Sequence, residues 1–183
     1  MGKDPCQSRA HWPSILAMPV ILALDFETAN QSPDSACQLG LVRIQDWKVT
    51  HSQSWLIRPP SDYFEFSWLH NITWDRVKDQ PTWAELWPQL APLVAQADFL
   101  AAHNAPFDRR VLESSCRFHG LEAPNKPYID TVNLARKQWK IFPTKLNLVC
   151  AQRGIPLDHH EALSDANACA QILIQASAEG WRP

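Results

Sequence analysis

The pattern of apolar positions begins with three segments of strand length. Residues 20–26 form a largely apolar run, which is typical of a strand buried on both faces of a sheet. Two further strand-like runs, 37–44 and 49–57, are separated by the polar segment 45–48, which is short enough for an antiparallel hairpin. The chain is therefore predicted to begin with a central strand followed by a hairpin.

After the hairpin, apolar residues recur at helical spacing, and the predicted helices alternate with short strands. Thr82 and Glu85 form a capping box that predicts a helix over roughly 83–96. Residues 98–102 are typical of a strand, and Asn104 is the predicted cap of the next helix. The remaining predicted elements are a strand at 128–130 and helices at 131–139, 146–153 and 162–176. A hairpin followed by this alternation predicts an α/β fold, a mixed sheet flanked by helices.

The length of the chain, 183 residues, fits one compact domain. Residues 1–18 have no periodicity, so we expect a disordered leader or an artefactual extension there and a single domain over 19–180. The apolar run 15–24 is too short to span a bilayer and contains Pro19, so no membrane association is predicted.

Glycine and cysteine narrow the function classes further. The five glycines are scattered, which excludes a Gly-rich phosphate loop and, with it, a bound nucleotide cofactor. The five cysteines are widely spaced and include no C-x-x-C pair, which argues against a disulfide framework or a zinc site. A reducing, cytoplasmic location is the expectation.

Two carboxylates stand at the end of the first predicted strand. Asp25 and Glu27 are two residues apart, and the period of a strand sends both side chains to the same face. Neighbouring carboxylates repel each other, which is costly unless a cation or a proton offsets the charge. The alternative is that water solvates both groups in the loop that follows the strand.

Two more motifs place acids and histidines at helix starts. The motif His-Asn-Ala-Pro-Phe-Asp at 103–108 enters a helix, although alone it is more typical of an ordinary capping turn with Asp108 favoured by the helix dipole. His160 precedes Asp165 by five residues, a rotation of roughly 500° in a helix. Both can reach one site only if His160 lies in the loop before the last helix. His159, six residues from Asp165, is the less favoured histidine.

Taken in order, these three motifs resemble the DEDDh family of 3′–5′ exonucleases, which includes the proofreading epsilon subunit of bacterial DNA polymerase III and ribonuclease T. The resemblance spans about 20 to 175 and implies a ribonuclease H-like, five-stranded mixed sheet. It also implies four carboxylate ligands for two Mg²⁺ or Mn²⁺ ions, namely Asp25, Glu27, Asp108 and Asp165. His160 would be the base that takes a proton from the attacking water. The substrate contacts expected with this family are Phe26, Thr28, Phe66, Ile72, His103, Asn104 and Phe107.

The activity that the resemblance implies is hydrolysis of phosphodiester bonds from the 3′ end of single-stranded DNA or frayed duplex ends, with release of nucleoside 5′-monophosphates. The expected partner is a nucleic acid with a free 3′ end, and association with a DNA polymerase complex is a further possibility. Two alternatives remain open: an RNA-trimming ribonuclease of the same family and a non-catalytic polymerase accessory subunit.

Two sequence segments are candidates for binding the part of the nucleic acid that lies outside the catalytic site. Between Lys126 and Arg153 there are six basic residues and one acid, which either follow a phosphate backbone or belong to a solvated pair of short helices. Aromatic residues cluster before the capped helix, where Phe66 or Trp68 is expected to meet a base. Tryptophans at helical spacing, such as Trp83, are expected in the core.

Overall fold

A computed structural model describes residues 18–183, so the predicted leader lies outside the described residues except for Met18. The fold contains five strands and seven helices within that range. In chain order they are β1 (Ile21–Thr28), β2 (Ala36–Gln45), β3 (Lys48–Leu56), α1 (Ser67–His70), α2 (Trp74–Val77), α3 (Trp83–Gln96), β4 (Phe99–Ala102), α4 (Ala105–Phe118), β5 (Tyr128–Asp130), α5 (Thr131–Trp139), α6 (Leu146–Arg153) and α7 (Ala162–Ala178).

The five strands form one mixed sheet in the order β3-β2-β1-β4-β5. The pairs β1–β2 and β2–β3 are antiparallel, whereas β4 is parallel to both β1 and β5. The predicted mixed sheet with an antiparallel first hairpin is thus confirmed. The hairpin turn is tighter than predicted, because Asp46 and Trp47 adopt left-handed backbone angles (φ 52° and 56°) and let the strands pair closely.

The sheet separates two apolar layers, and β1 contributes to both. Ile21 and Ala23 belong to the layer that contains α5, α6 and α7. Leu22 and Leu24 belong to the layer that contains α3 and α4. Because side chains alternate along a strand, Asp25 follows Ile21 and Ala23 and lies on the α7 side of the sheet.

The helices agree with the sequence pattern except in one segment. Thr82 and Glu85 form the predicted capping box, and α3 continues through Pro88 and Pro92. Both prolines lie on the exposed side of α3, where water can satisfy the carbonyl groups that they leave unpaired. The sequence pattern missed α1 and α2, which have one turn each and show no periodicity. Within residues 18–183, no helix has the length and apolar character needed to cross a membrane.

Helix α7 packs unusually close to the sheet at its first residue. Gly40 of β2 has no side chain there, and a Cβ atom at this position would lie 2.1 Å from the carbonyl oxygen of Ala162. The buried positions in the first half of α7 carry small residues, which are Ala162, Ala166, Ala168, Cys169 and Ala170, whereas the larger Ile172 and Leu173 are buried farther along the helix. Gly40 also pairs with Asp25 across the β1–β2 ladder. The close contact therefore brings the start of α7 to the level of Asp25.

We predict that Gly40→Ala destabilises the protein by about 3 kcal/mol, because the new methyl group meets backbone rather than a movable side chain. Gly154→Ala is the matched control: its φ is +66° but a Cβ meets nothing within 4 Å, so roughly 1 kcal/mol is expected. Urea unfolding of the two variants measures the difference. Equal stability of the variants would contradict a close contact at Gly40.

Candidate active site

An acidic cluster lies where β1 meets the start of α7. Asp25, Glu27 and Asp165 each place one carboxylate oxygen so that the three oxygens lie within 4.8 Å of one another. Asp25 is partly exposed, whereas Glu27 and Asp165 are 7% and 4% exposed. The predicted convergence of the strand motif and the last-helix motif is therefore present in the structure.

Asp108 approaches β1 from the helical layer on the other face of the sheet. Its side chain is 1% exposed, and the backbone N–H of Phe26 donates to its Oδ1 at 3.1 Å. Asp108 does not belong to the acidic cluster of three, but its charge is the largest cause, after burial, of the raised pKa of Asp25. The fourth predicted carboxylate thus lies beside the cluster and interacts with it electrostatically.

Burial and mutual repulsion raise the pKa values of these acids. Burial, with the charges of Asp165 and Asp108, raises the pKa of Glu27 to about 8. Burial raises the pKa of Asp108 to about 8 against two backbone hydrogen bonds, and the pKa of Asp25 is raised well above its usual value. Burial also raises the pKa of Asp165, although His159 opposes the shift. Protons or cations are therefore needed to offset the charge of the cluster.

Both histidines of the last motif contact Asp165 from the loop before α7. His159 Nδ1 lies 3.0 Å from Asp165 Oδ2, and the backbone N–H of His160 donates to the same oxygen at 3.2 Å. The two rings are stacked with centroids 3.8 Å apart. His160 has a φ of 69°, an uncommon angle for a residue with a side chain, and it lies outside the helix as the spacing predicts. Burial and the neighbouring His159 lower the pKa of His160.

A cleft of about 410 Å³ opens above the acidic cluster. Five of the predicted substrate contacts line it: Phe26, Thr28, Phe66, His103 and Phe107. The remaining lining residues are Asp25, Glu27, Trp68, Leu69, His70, Leu146, His159, His160 and Asp165. Phe107 is 41% exposed and Trp68 is 78% exposed, so flat apolar surface faces solvent beside the carboxylates.

Two predicted substrate contacts do not line this cleft. Ile72 is 1% exposed and packs in a small core cluster with Cys37 and Val77. Asn104 is exposed, and its backbone N–H donates to Asp130 Oδ1 at 3.2 Å. Asn104 occupies the N-cap position of α4, but its side chain makes no capping hydrogen bond, because the backbone is left-handed with a φ of 78°.

His103 joins the start of α4 to the segment before α6. Its Nε2 lies 3.0 Å from the carbonyl oxygen of Thr144, which can only accept, so Nε2 carries the hydrogen. Its Nδ1 lies 2.9 Å from Thr131 Oγ1. Burial lowers the pKa of His103, which favours the neutral ring. His103 therefore orders this side of the cleft.

His70 and Glu161 are two site residues that the sequence did not single out. The backbone N–H of Ile72 donates to His70 Nδ1 at 3.1 Å, so Nε2 carries the hydrogen and donates to the carbonyl oxygen of Thr28 at 3.1 Å. His70 thereby ties α1 to the end of β1. Glu161 caps α7 by accepting from Ser164 N at 2.8 Å, and its charge contributes to the raised pKa of Asp25. Neither residue left a signal in the sequence, because glutamate is not among the residues preferred at an N-cap.

The acidic cluster has the donor chemistry of a site for hard divalent cations. Its three carboxylates provide oxygen ligands within 4.8 Å of one another, which suits Mg²⁺ or Mn²⁺ better than softer metals. Burial and the charges of Asp165 and Asp108 raise the pKa of Glu27. No basic side chain forms an ion pair with that carboxylate within residues 18–183, so a cation is left to offset its charge. The residues present fit a divalent metal ion.

Comparison with known proteins assigns the family. The family model described as an exonuclease matches residues 22–173. The chain is 34% identical over 157 residues to the DNA polymerase III PolC-type of Clostridium perfringens, which covers 83% of this chain and 11% of that protein. It is 32% identical over 155 residues to Exodeoxyribonuclease 10 of Escherichia coli K12, which covers 79% of this chain and 63% of that protein.

Solved structures agree with this assignment. Exonuclease X, in complex with 5′ overhanging duplex DNA, is 26% identical with a TM-score of 0.73, over 88% of this chain and 94% of that one. The nuclease domain of 3′hExo, a DEDDh family member bound to rAMP, shares the fold with 18% identity and a TM-score of 0.76, over 89% and 94% of the two chains. With the acidic cluster and the two histidines placed in one cleft, the chain belongs to the exonuclease family, as its DEDDh motifs predict.

Proposed function

We propose that the chain is a 3′–5′ exonuclease that acts on single-stranded DNA or frayed duplex ends and releases nucleoside 5′-monophosphates. The observation that carries this proposal is the convergence of Asp25, Glu27 and Asp165 beneath a cleft with aromatic walls. The choice of DNA is supported by two relatives, the exodeoxyribonuclease that is 32% identical and the DNA-bound Exonuclease X.

Four carboxylates would hold two Mg²⁺ or Mn²⁺ ions. Asp25 would contact both ions, Glu27 and Asp165 would complete the first site, and Asp108 would hold the second ion directly or through water. Bound ions of this kind activate a water molecule and stabilise the charge on the phosphate and on the leaving oxygen. Phe26 N fixes Oδ1 of Asp108, so this carboxylate has a set orientation before any ion binds.

His160 is the proposed general base. The ring of His159 is held by Asp165, whereas His160 contacts that carboxylate through its backbone N–H. Its ring therefore remains available to a water molecule in the cleft that both residues line. The lowered pKa of His160 favours the neutral form, which can accept a proton near neutral pH.

The walls of the cleft would position the 3′-terminal nucleotide. Phe66, Trp68 and Phe107 offer apolar surface for a base and sugar, and stacking on aromatic rings tolerates any base. The Phe26 ring is 3% exposed and packs against Trp83, so Phe26 would contact the nucleotide at the cleft floor without stacking. Thr28 lies at the end of β1, where His70 fixes its carbonyl group. Sequence-independent contacts of this kind suit an enzyme that removes one nucleotide after another.

The two alternatives differ from this proposal in measurable ways. An RNA-trimming enzyme would use the same carboxylates but would prefer a substrate with 2′-hydroxyl groups. An accessory subunit would bind a polymerase without hydrolysing nucleic acid. The PolC-type relatives, of whose length this chain spans 11–13%, are the observation that favours a polymerase partner. A cytoplasmic location completes the proposal and is supported by four buried thiols: Cys37, Cys116, Cys150 and Cys169.

The decisive assay follows 5′-labelled DNA and RNA oligonucleotides of equal sequence with Mg²⁺, Mn²⁺ or EDTA. We expect a ladder that shortens from the 3′ end of the DNA, requires either metal and disappears with EDTA. Faster shortening of the RNA would favour the ribonuclease. An unchanged oligonucleotide with every metal would contradict enzymatic function and favour the accessory subunit.

Asp25→Asn is predicted to lower the hydrolysis rate by roughly 10³-fold, because it removes the carboxylate expected to contact both ions. It should also raise the melting temperature in EDTA by about 2–4 °C, since about 1 kcal/mol of charge repulsion is removed. Asp62→Asn, at an exposed position, is the control for both measurements. Metal-dependent hydrolysis within tenfold of wild type would disprove the assignment of Asp25.

His160→Ala is predicted to lower the single-turnover rate by about 10²–10⁴-fold, the usual contribution of a general base. His159→Ala should cost less, because that ring contacts Asp165 rather than the attacking water. Rapid-quench measurements at saturating metal compare the two variants. A larger loss in His159→Ala would assign the proton transfer to His159 instead.

A further inference from the structure

The loop between α5 and α6 exposes a phenylalanine to solvent. Phe142 is 80% exposed, the highest value among the exposed large apolar residues in the described part of the chain. Its neighbour Ile141 is 4% exposed and Thr144 is 7% exposed, so the loop itself is packed against the domain. The ring therefore projects from a loop with buried anchor points on both sides.

Hydrogen bonds fix this loop. Thr144 Oγ1 donates to the carbonyl oxygen of Ile141 at 3.0 Å and accepts from Arg136 Nε at 2.9 Å. The guanidinium carbon of Arg136 lies 5.8 Å from the centroid of the Phe142 ring. The loop thus presents an aromatic ring next to a cation, a combination that binds both the base and the phosphate of a nucleotide.

The segment that carries the ring is basic, although Arg153 at its far end pairs with Glu179. Residues 131–153 include five basic residues and no acidic one. Lys140 and Lys145 flank the ring in sequence and are exposed. Neither lysine forms an ion pair with a carboxylate within residues 18–183, and Arg136 likewise has none. Unpaired cations on a folded surface favour a polyanionic partner.

The loop adjoins the cleft through two residues that line the cleft wall. His103 donates to the carbonyl oxygen of Thr144, and Leu146 follows Lys145 directly. A strand that leaves the cleft past His103 and Leu146 would therefore meet Lys145 first. Beyond Lys145, the same strand would meet the Phe142 ring.

We propose that Arg136, Lys140, Phe142 and Lys145, which form the α5–α6 loop surface, bind the substrate strand upstream of the nucleotides held in the cleft. This inference rests on the proposed function, because it takes the 3′ end to lie in the cleft. The phosphates contact the three cations and a base stacks on Phe142. The surface gives the enzyme affinity for long strands that a dinucleotide cannot use.

Binding and hydrolysis of dT20 and dT2 by the full chain test this proposal. Phe142→Ala should weaken binding of fluorescent dT20, measured by anisotropy with Ca²⁺, by roughly 5–10-fold. The double variant Lys140→Glu, Lys145→Glu should lower the slope of log K against log salt by about 1.4, or 0.7 for each lost phosphate contact on a single strand. With Mg²⁺, hydrolysis of dT2 should stay within twofold of wild type in both variants.

Two control variants make the same kinds of substitution at exposed positions elsewhere in the chain. Phe118→Ala removes another exposed phenylalanine, and Lys48→Glu reverses an exposed lysine on the hairpin; both should bind dT20 as wild type does. Affinity for dT20 within twofold of wild type in the Phe142 and lysine variants would overturn the proposal. Equal losses on dT2 and dT20 would also overturn it, since the loop would then act through the cleft. A wild-type protein that binds dT20 through this surface without hydrolysing it would refute the proposed function alone.

Discussion

The site depends on the close approach of α7 to the sheet at Gly40. Gly40 pairs with Asp25 in the ladder and touches the backbone of Ala162. Because Gly40 has no side chain, α7 can approach β1 closely enough to bring Asp165 to Asp25. Asp165 lies one turn beyond that contact. The small buried residues between Ala162 and Ala170 let the first half of α7 stay close to the sheet. Apolar packing along α7 thereby offsets the repulsion that the carboxylates exert on one another.

This arrangement explains how a chain with a net charge of −2 can bind a polyanion. Four of the negative charges lie together in the active site. Two bound divalent ions would change the net charge of the protein from −2 to +2, so the site would attract phosphate once the ions are bound. The cations of the α5–α6 loop surface lie on the adjoining side of the domain. Attraction is therefore local, and the net charge of the whole chain is a poor guide to the partner.

Much of this site follows from periodicity alone. The strand period predicts that Asp25 and Glu27 share a face, and the helical rotation predicts that His160 lies before α7; both are confirmed by the structure. The approach of Asp108 from the opposite layer is not predictable in this way, because it depends on where β4 ends relative to β1. Knowing the family's motif order adds Asp108 to the set, but not its hydrogen bond with Phe26.

The segments that the sequence pattern missed take their structure from tertiary contacts. The one-turn helices α1 and α2 have no periodicity, and the hydrogen bond from His70 to the carbonyl oxygen of Thr28 holds α1 in place.

The most direct test of the proposed metal site is a crystal structure with Mn²⁺ and dT2, with the ions located by anomalous scattering. The account predicts one peak bounded by the carboxylates of Asp25, Glu27 and Asp165 and a second toward Asp108. Peaks only at the histidines, or none in the cleft, would contradict it.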